Sequence, residues 1–214
     1  MSHSEPGRLH GRFAADYDRL TREYHCYAAE VLFGLAYEYV RPGECLLDVG
    51  IGTGLSSAPF AKAGLVISGI DASEEMLAVC RSKNVAVDLR RADLSVTPWP
   101  YAARSFDHVL ACGLLHFFED LAPQFKSVAR VIRPGGVLAF TIKVWPLGSP
   151  RVVRFDSGGI AVFLHRLDHV AEVATQHSFE RLKAMRFFVG DEQAGSADVF
   201  CALVTRYTPK GAER

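Results

Sequence analysis

The stretch Asp48-Val-Gly-Ile-Gly-Thr-Gly54 decides the fold. It follows a short apolar strand, Cys45-Leu-Leu-Asp-Val49, and leads directly into a helical pattern over residues 55–63. Glycines at alternate positions let the backbone turn tightly and come close to a ligand, with helix N–H groups directed into the same space. A second strand, Leu65-Val-Ile-Ser-Gly-Ile70, ends at Asp71, roughly twenty residues after the first glycine, where an acid accepts hydrogen bonds from ribose hydroxyls. Together the two features point to an adenosine-containing cofactor. The spacing G-x-G-x-G departs from the G-x-G-x-x-G of dinucleotide sites.

Outward from that loop the pattern alternates. Ser73-Glu-Glu-Met76 opens a helix over residues 73–83 in the manner of a capping box. Residues 85–89 read as a third strand, 106–112 as a fourth and 137–144 as a fifth, the last preceded by a helix over 121–132 that Pro134-Gly135-Gly136 stops. Such alternation predicts right-handed crossovers and a parallel sheet covered on both faces. The first forty residues read as helical, up to a turn at Pro42-Gly43. After residue 145 the order changes: a helix over 160–177, then strands over 182–189 and 199–207 joined by a polar loop at 190–198. A hairpin-length connection makes that last pair antiparallel. The expected architecture is α/β, a doubly wound Rossmann-like sheet, mostly parallel, with an antiparallel C-terminal hairpin and helices on both faces. One domain spans 1–214: a helical N-terminal lid (1–42), a cofactor-binding core (43–145) and a C-terminal helix and hairpin (146–214).

Composition narrows the function classes. The 214 residues are 49% hydrophobic and 22% charged, as in an ordinary globular protein. Lys plus Arg number 24 and Asp plus Glu number 24, so no basic surplus exists to release phosphate counterions, and nucleic acid is disfavoured as a partner. The five cysteines, Cys26, Cys45, Cys80, Cys112 and Cys201, form no C-x-x-C pair and read as buried thiols of a reducing compartment. Residues 1–16 lack an apolar signal core, and no run approaches the ~20 apolar residues of a membrane span. A cytoplasmic protein with no membrane contact is expected.

With its acid-x-G-x-G-x-G motif, the sequence resembles the class I S-adenosylmethionine-dependent methyltransferases, of the type-11 kind that act on small molecules. The resemblance runs over roughly residues 12–145 through six motifs in order. It implies that Asp48 orders the loop and the methionine amino group, directly or through water, and that Gly50, Gly52 and Gly54 form the turn under the methionine and ribose. Asp71 then holds the ribose, Ala72 and Met76 flank the adenine, and Asp93-Leu94 meets the adenine amine and ring. The segment from Phe106 through Cys112 to His116 lies beside the reacting methyl, Arg130-Val-Ile-Arg-Pro-Gly-Gly136 follows it, and Tyr17-Asp18 belongs to an entry segment that folds over the cofactor. Ile51 is bulkier than the residue often found there, and Ser178-Phe179 replaces a frequent Gly-Phe. Ala111-Cys112-Gly113-Leu114 stands where methylation of bases or protein amides would show Asn/Asp-Pro-Pro-Tyr/Phe, so DNA and protein amides are disfavoured as acceptors.

Methyl transfer from a sulfonium needs a general base only when the acceptor must lose a proton. His116 is the first candidate for that role and Tyr17, from the lid, the second. The bland alternative for His116 is a pocket-shaping side chain. His165 and His169, at i and i+4 of the expected helix, lack the Glu of a zinc-protease motif and any third ligand, so no metal is expected. An exposed or acceptor-facing helix edge is their expected place. Trp99, between two prolines, packs a loop or rims the acceptor, and Arg90-Arg91 ends a strand or anchors an anionic acceptor. With no large insertion, only the N-terminal forty residues, the 99–104 loop and segment 145–159 can cover a site, which suits a small-molecule acceptor. The expected function is S-adenosylmethionine-dependent methyl transfer, releasing S-adenosylhomocysteine, by a monomer or homodimer. A non-catalytic cofactor binder serving a partner protein and a nicotinamide-dependent oxidoreductase are the alternatives.

Overall fold

Leu46 and Leu47 are neighbours in the first strand, yet they bury into opposite cores, because side chains alternate along a strand. In the computed structural model, which describes residues 13–145, 150–157, 159–190 and 198–209, that strand lies at the middle of a seven-stranded sheet. The strands β1 (Cys45–Val49), β2 (Val66–Asp71), β3 (Asp88–Arg91), β4 (Phe106–Ala111) and β5 (Ile132–Lys143) pair in parallel. A separate hairpin of β6 (Val152–Ser157) and β7 (Ile160–His165) follows, and β8 (Phe179–Val189) and β9 (Asp198–Tyr207) complete the large sheet as antiparallel neighbours of β5. The order is β3-β2-β1-β4-β5-β9-β8. It reverses between β1 and β4, and in such sheets ligands bind outside the carboxyl ends of the strands at that reversal.

Helices cover both faces. α1 (Tyr17–Glu23) leads in; α2 (Ala28–Ala36), α3 (Ala58–Lys62) and α4 (Glu74–Ser82) bury Leu32, Phe60 and Leu77 with Leu46 and Ile67 on one side. On the other, α5 (Ala122–Val131) and α6 (Leu167–Gln176) bury Phe125, Val128 and Val170 with Leu47, Leu138 and Phe140. The Ser73 hydroxyl caps α4 by accepting from the Met76 amide at 3.2 Å, while Glu74 and Glu75 place negative charge at the helix's positive end.

The predicted α/β sheet with its antiparallel C-terminal hairpin is present, with four local corrections. Helix α3 is shorter than the expected 55–63, because residues 51–57 wind through turns that bring two serines under Asp48. Pairing of the third strand begins at Asp88 rather than 85, since Val85 and Ala86 pack into the helix-side core. The fifth strand starts at Ile132, before the Pro-Gly-Gly sequence, which becomes an irregularity inside a longer strand instead of its boundary. The largest difference is at 160–177, expected as one helix. Its first six residues, Ile160-Ala-Val-Phe-Leu-His165, are strand β7, paired with β6 around a turn in which Gly159 takes a positive φ of 85°. Branched and aromatic side chains favour that extended form, and the true helix starts at Leu167. Residues 1–12 of the expected lid, 146–149 of the expected cover and most of the 190–198 loop lie outside the described residues.

Candidate active site

At the carboxyl ends of β1, β2 and β4 the chain forms a cleft of about 230 Å³, lined by Tyr17, Gly50, Gly52, Asp71, Ala72 and Met76. Asp93, Leu94, Ser95, Cys112, Gly113, Leu114, Phe117 and Phe118 complete it. Local chemistry explains its shape. Gly50, Gly52 and Gly54 all hold positive φ, which only glycine adopts without strain. Above Gly52 the space is open: a Cβ there would meet nothing nearer than the Gly50 carbonyl at 4.0 Å. Ile51, the bulky residue of the motif, is accommodated because it packs onto Gly69, where any Cβ would collide with it.

Two carboxylates border the cleft from different strands. Asp71 accepts from the Gly52 amide at 2.9 Å and the Ser73 amide at 2.8 Å. Asp93, just after β3, accepts from both the amide and the hydroxyl of Ser95, at 3.0 and 2.6 Å. A third, Asp48, lies beneath the loop and is fully buried. Its Oδ2 accepts from Ser56 at 3.1 Å and Ser57 at 2.6 Å, while its Oδ1 has no partner among the described residues. Burial pushes this carboxyl up to about 7, against the two serine hydrogen bonds and with a small push from Asp71.

The structure gathers ten of the twelve residues singled out from the sequence around this one place, at the wall or directly beneath it: Tyr17, Asp48, Gly50, Gly52, Asp71, Ala72, Met76, Asp93, Leu94 and Cys112. Gly54 stands apart. It does not border the cleft; a Cβ on it would lie 2.8 Å from the Cys80 sulfur, so its role is close packing of loop and helix. His116 is also set back, 6% exposed, with its ring 4.3 Å from that of Phe117 and 5.6 Å from that of Phe200. Phe117, not His116, forms the wall. Burial pushes the Tyr17 phenol and the Cys112 thiol well above their ordinary values, so both are protonated at neutral pH.

Other expectations change. His165 and His169 do not share a helix face: His165 ends β7, His169 lies in α6, and their rings stack with centroids 6.3 Å apart. His165 is wholly buried, its Nε2 3.0 Å from the Phe118 carbonyl. Trp99 is buried in the core and does not rim the site, and Arg130 grips the carbonyls of Trp99 and Tyr101. Arg90 packs on the Tyr101 ring and pairs with Asp88. Sequence reasoning missed Ser95, Phe117 and Phe118 as wall residues and did not single out Gly113 and Leu114 within the segment from Cys112 to His116, although all five lie within two residues of one that it named. It also missed the β6–β7 hairpin, whose last residue supports Phe118. Among the described residues no group of three or more His, Cys, Asp or Glu could hold a metal ion, and no helix is long and apolar enough to cross a membrane.

Residues 47–140 match the protein family described as a methyltransferase domain. Over this segment, somewhat under half of its length, the chain is similar to methyltransferase domains. The matched span runs from β1 into β5 and contains the glycine loop and both cleft carboxylates. Demethylmenaquinone methyltransferase of Tropheryma whipplei (strain Twist) is 36% identical to this chain over 104 residues, 46% of this chain and 41% of that protein. Malonyl-[acyl-carrier protein] O-methyltransferase of Serratia marcescens is 31% identical over 134 residues, 60% of this chain and 51% of the relative. The chain thus spans about half the length of the curated relatives it matches. The fold also matches the crystal structure of Burkholderia thailandensis 1,6-didemethyltoxoflavin-N1-methyltransferase, with a TM-score of 0.70 at 17% identity, covering 94% of this chain and 88% of that one.

Proposed function

We propose that the chain binds S-adenosylmethionine in this cleft and transfers its methyl group to a small-molecule acceptor. The observation that carries the reading is the convergence of Asp71 and Asp93, at the ends of the adjacent strands β2 and β3, on one cleft with the open glycine turn that follows β1, while the Asp48 oxygen beneath that turn has no partner among the described residues. Asp71 is placed to take the ribose hydroxyls, Asp93 and Leu94 the adenine, with Ala72 and Met76 at its faces. Asp48 serves the ammonium group, directly or through a water. When bound, the cofactor supplies a methyl group already activated on sulfur. The residues around it hold the reacting groups in line, a contribution that reaches about 7–11 kcal/mol in well-oriented systems.

Leu114, Phe117 and Phe118 give the cleft an apolar end next to Cys112, and that lining fits an uncharged, largely apolar acceptor. Acceptors of the relatives and of the matched structure, by their names, include a quinone precursor, an acyl-carrier-bound malonyl group and a toxoflavin precursor, which supports a small-molecule substrate. Of the two base candidates, Tyr17 borders the cleft as a protonated hydrogen-bond donor, and His116 holds Phe117 in place from behind. Its activity belongs in the cytoplasm, in a monomer or homodimer, in keeping with the five cysteines, all free thiols.

The test is calorimetric titration with S-adenosylhomocysteine, with NADH as control, followed by a screen of apolar acceptors with labelled S-adenosylmethionine. Micromolar binding of the homocysteine compound alone, then label transfer, is the expected result. NADH binding would overturn the reading in favour of an oxidoreductase, and cofactor binding without transfer to any acceptor would favour a non-catalytic binder.

A further inference from the structure

Helix α1 brings Tyr17 to the cleft, with Tyr17, Asp18, Leu20 and Thr21 half-buried and none of its residues fully enclosed. Ala14, ahead of the helix, is buried, but the contacts from the helix to the body of the domain include a polar clasp at Asp18. Asp18 Oδ1 accepts from the Thr53 hydroxyl at 2.5 Å, and Oδ2 pairs with the Lys83 ammonium. Both ends of this clasp are rigid. Thr53 is 1% exposed and stands between Gly52 and Gly54, while Lys83 is the C-terminal cap of α4. The paired side chains are only 25% and 30% exposed, so solvent screens them less than a surface pair. The neighbouring Arg19, by contrast, bonds among the described residues to its own segment, to the N-cap Asp16 and to Glu23.

We infer that Asp18 is a positioning residue, a latch that ties α1 to the glycine loop and thereby holds Tyr17 over the cleft, so that seating of the lid and residence of the cofactor are coupled. The inference rests on the cofactor reading above. The coupling has a physical route. Asp18 holds Thr53, the residue before it is Gly52, and the Gly52 amide is held by Asp71 at the cleft wall. A ligand that fixes the loop also fixes the latch, and by linkage the latch strengthens the ligand's hold by the same factor.

The experiment measures S-adenosylhomocysteine affinity and dissociation rate for wild type, Asp18→Ala, Lys83→Met, Asp18→Lys and the charge exchange Asp18→Lys/Lys83→Asp, together with hydrogen exchange of residues 17–23. Asp18→Ala should weaken binding about tenfold, mainly through faster dissociation, the scale of one lost charge-assisted hydrogen bond. Lys83→Met should weaken it about threefold, and the charge exchange should recover most of what Asp18→Lys alone loses. Exchange in residues 17–23 should slow on adding the compound to wild type and much less in Asp18→Ala. Rescue by the reversed pair is a result that loss of folding would not give. If wild type binds and Asp18→Ala binds equally well, or the reversed pair is no better than Asp18→Lys, the latch is overturned while the cofactor reading stands. If wild type binds no S-adenosylhomocysteine, both fall.

Discussion

The Asp71 carboxylate accepts the Gly52 amide at 2.9 Å, so the acid that ends β2 and the loop that follows β1 form one unit. With its other oxygen held by the Ser73 amide, the carboxylate is fixed at the cleft wall before any ligand arrives. Asp71→Ala should therefore lose both the ligand contact and the order of the loop. S-Adenosylhomocysteine affinity should fall at least a hundredfold, and stability by about 0.5–1.5 kcal/mol, the net worth of a hydrogen bond at a half-buried site that water can reach. Calorimetric titration and urea denaturation check the two parts, and unchanged affinity would remove Asp71 from the cofactor site.

Asp48 trades stability for binding. Its carboxyl rises in the fold from 3.8 to about 7, so the folded state favours the proton. The stability it contributes is fully present below about pH 4 and is lost as pH climbs through about 7, a change bounded by roughly 4 kcal/mol. Asp48→Asn should be more stable than wild type at pH 8 by about 1–3 kcal/mol, with the gap closing toward pH 5. The same variant should bind S-adenosylhomocysteine at least tenfold more weakly, and wild-type affinity should rise with pH through 7. Equal denaturation midpoints at pH 8 would contradict this assignment.

His165 acts in the opposite direction. Burial lowers its imidazole from 6.5 to about 4, against the hydrogen bond to the Phe118 carbonyl. Its contribution is present above about pH 6.5 and is lost as pH falls through 4, on the order of 3 kcal/mol. Because Asp48 and His165 slope oppositely between pH 4 and 6.5, wild type should show a shallow profile there. His165→Gln, which keeps a donor to Phe118, should leave stability falling as pH rises, while Asp48→Asn should leave it rising. Parallel profiles for the two variants would show that neither group controls the range.

Ser178 occupies the left-handed region, with φ at 66°, directly before β8. That conformation costs an L-residue about 1–2 kcal/mol, part of which glycine returns as entropy in the unfolded chain. Ser178→Gly should raise stability by about 0.5–1 kcal/mol and the melting temperature by about 2–3 °C. Ser178→Ala should give no such gain.

Local chemistry by itself set much of this molecule. The run Asp48 to Gly54 and the acid at Asp71 marked the sheet's switch point, because a tight turn toward a ligand demands glycine and a ribose demands an acceptor at those places. Alternation of strand and helix then fixed the parallel core. Strand β7 was not legible: Ile160 to His165 is apolar enough for a helix or a strand, and pairing with Val152–Ser157 across Gly159 decided the matter.

The same distinction divides the site. Residue type and spacing named Asp71, and resemblance to a known family named Asp48 and Asp93. Only the tertiary structure separated wall from support. It set Gly54 against Cys80, put His116 behind Phe117, buried Trp99 and His165, and joined Asp18 to Thr53 and Lys83 across 35 and 65 residues of chain. The reason is physical: what a side chain is able to bind is a property of the residue, whereas what it faces depends on which distant segments the packing brings against it.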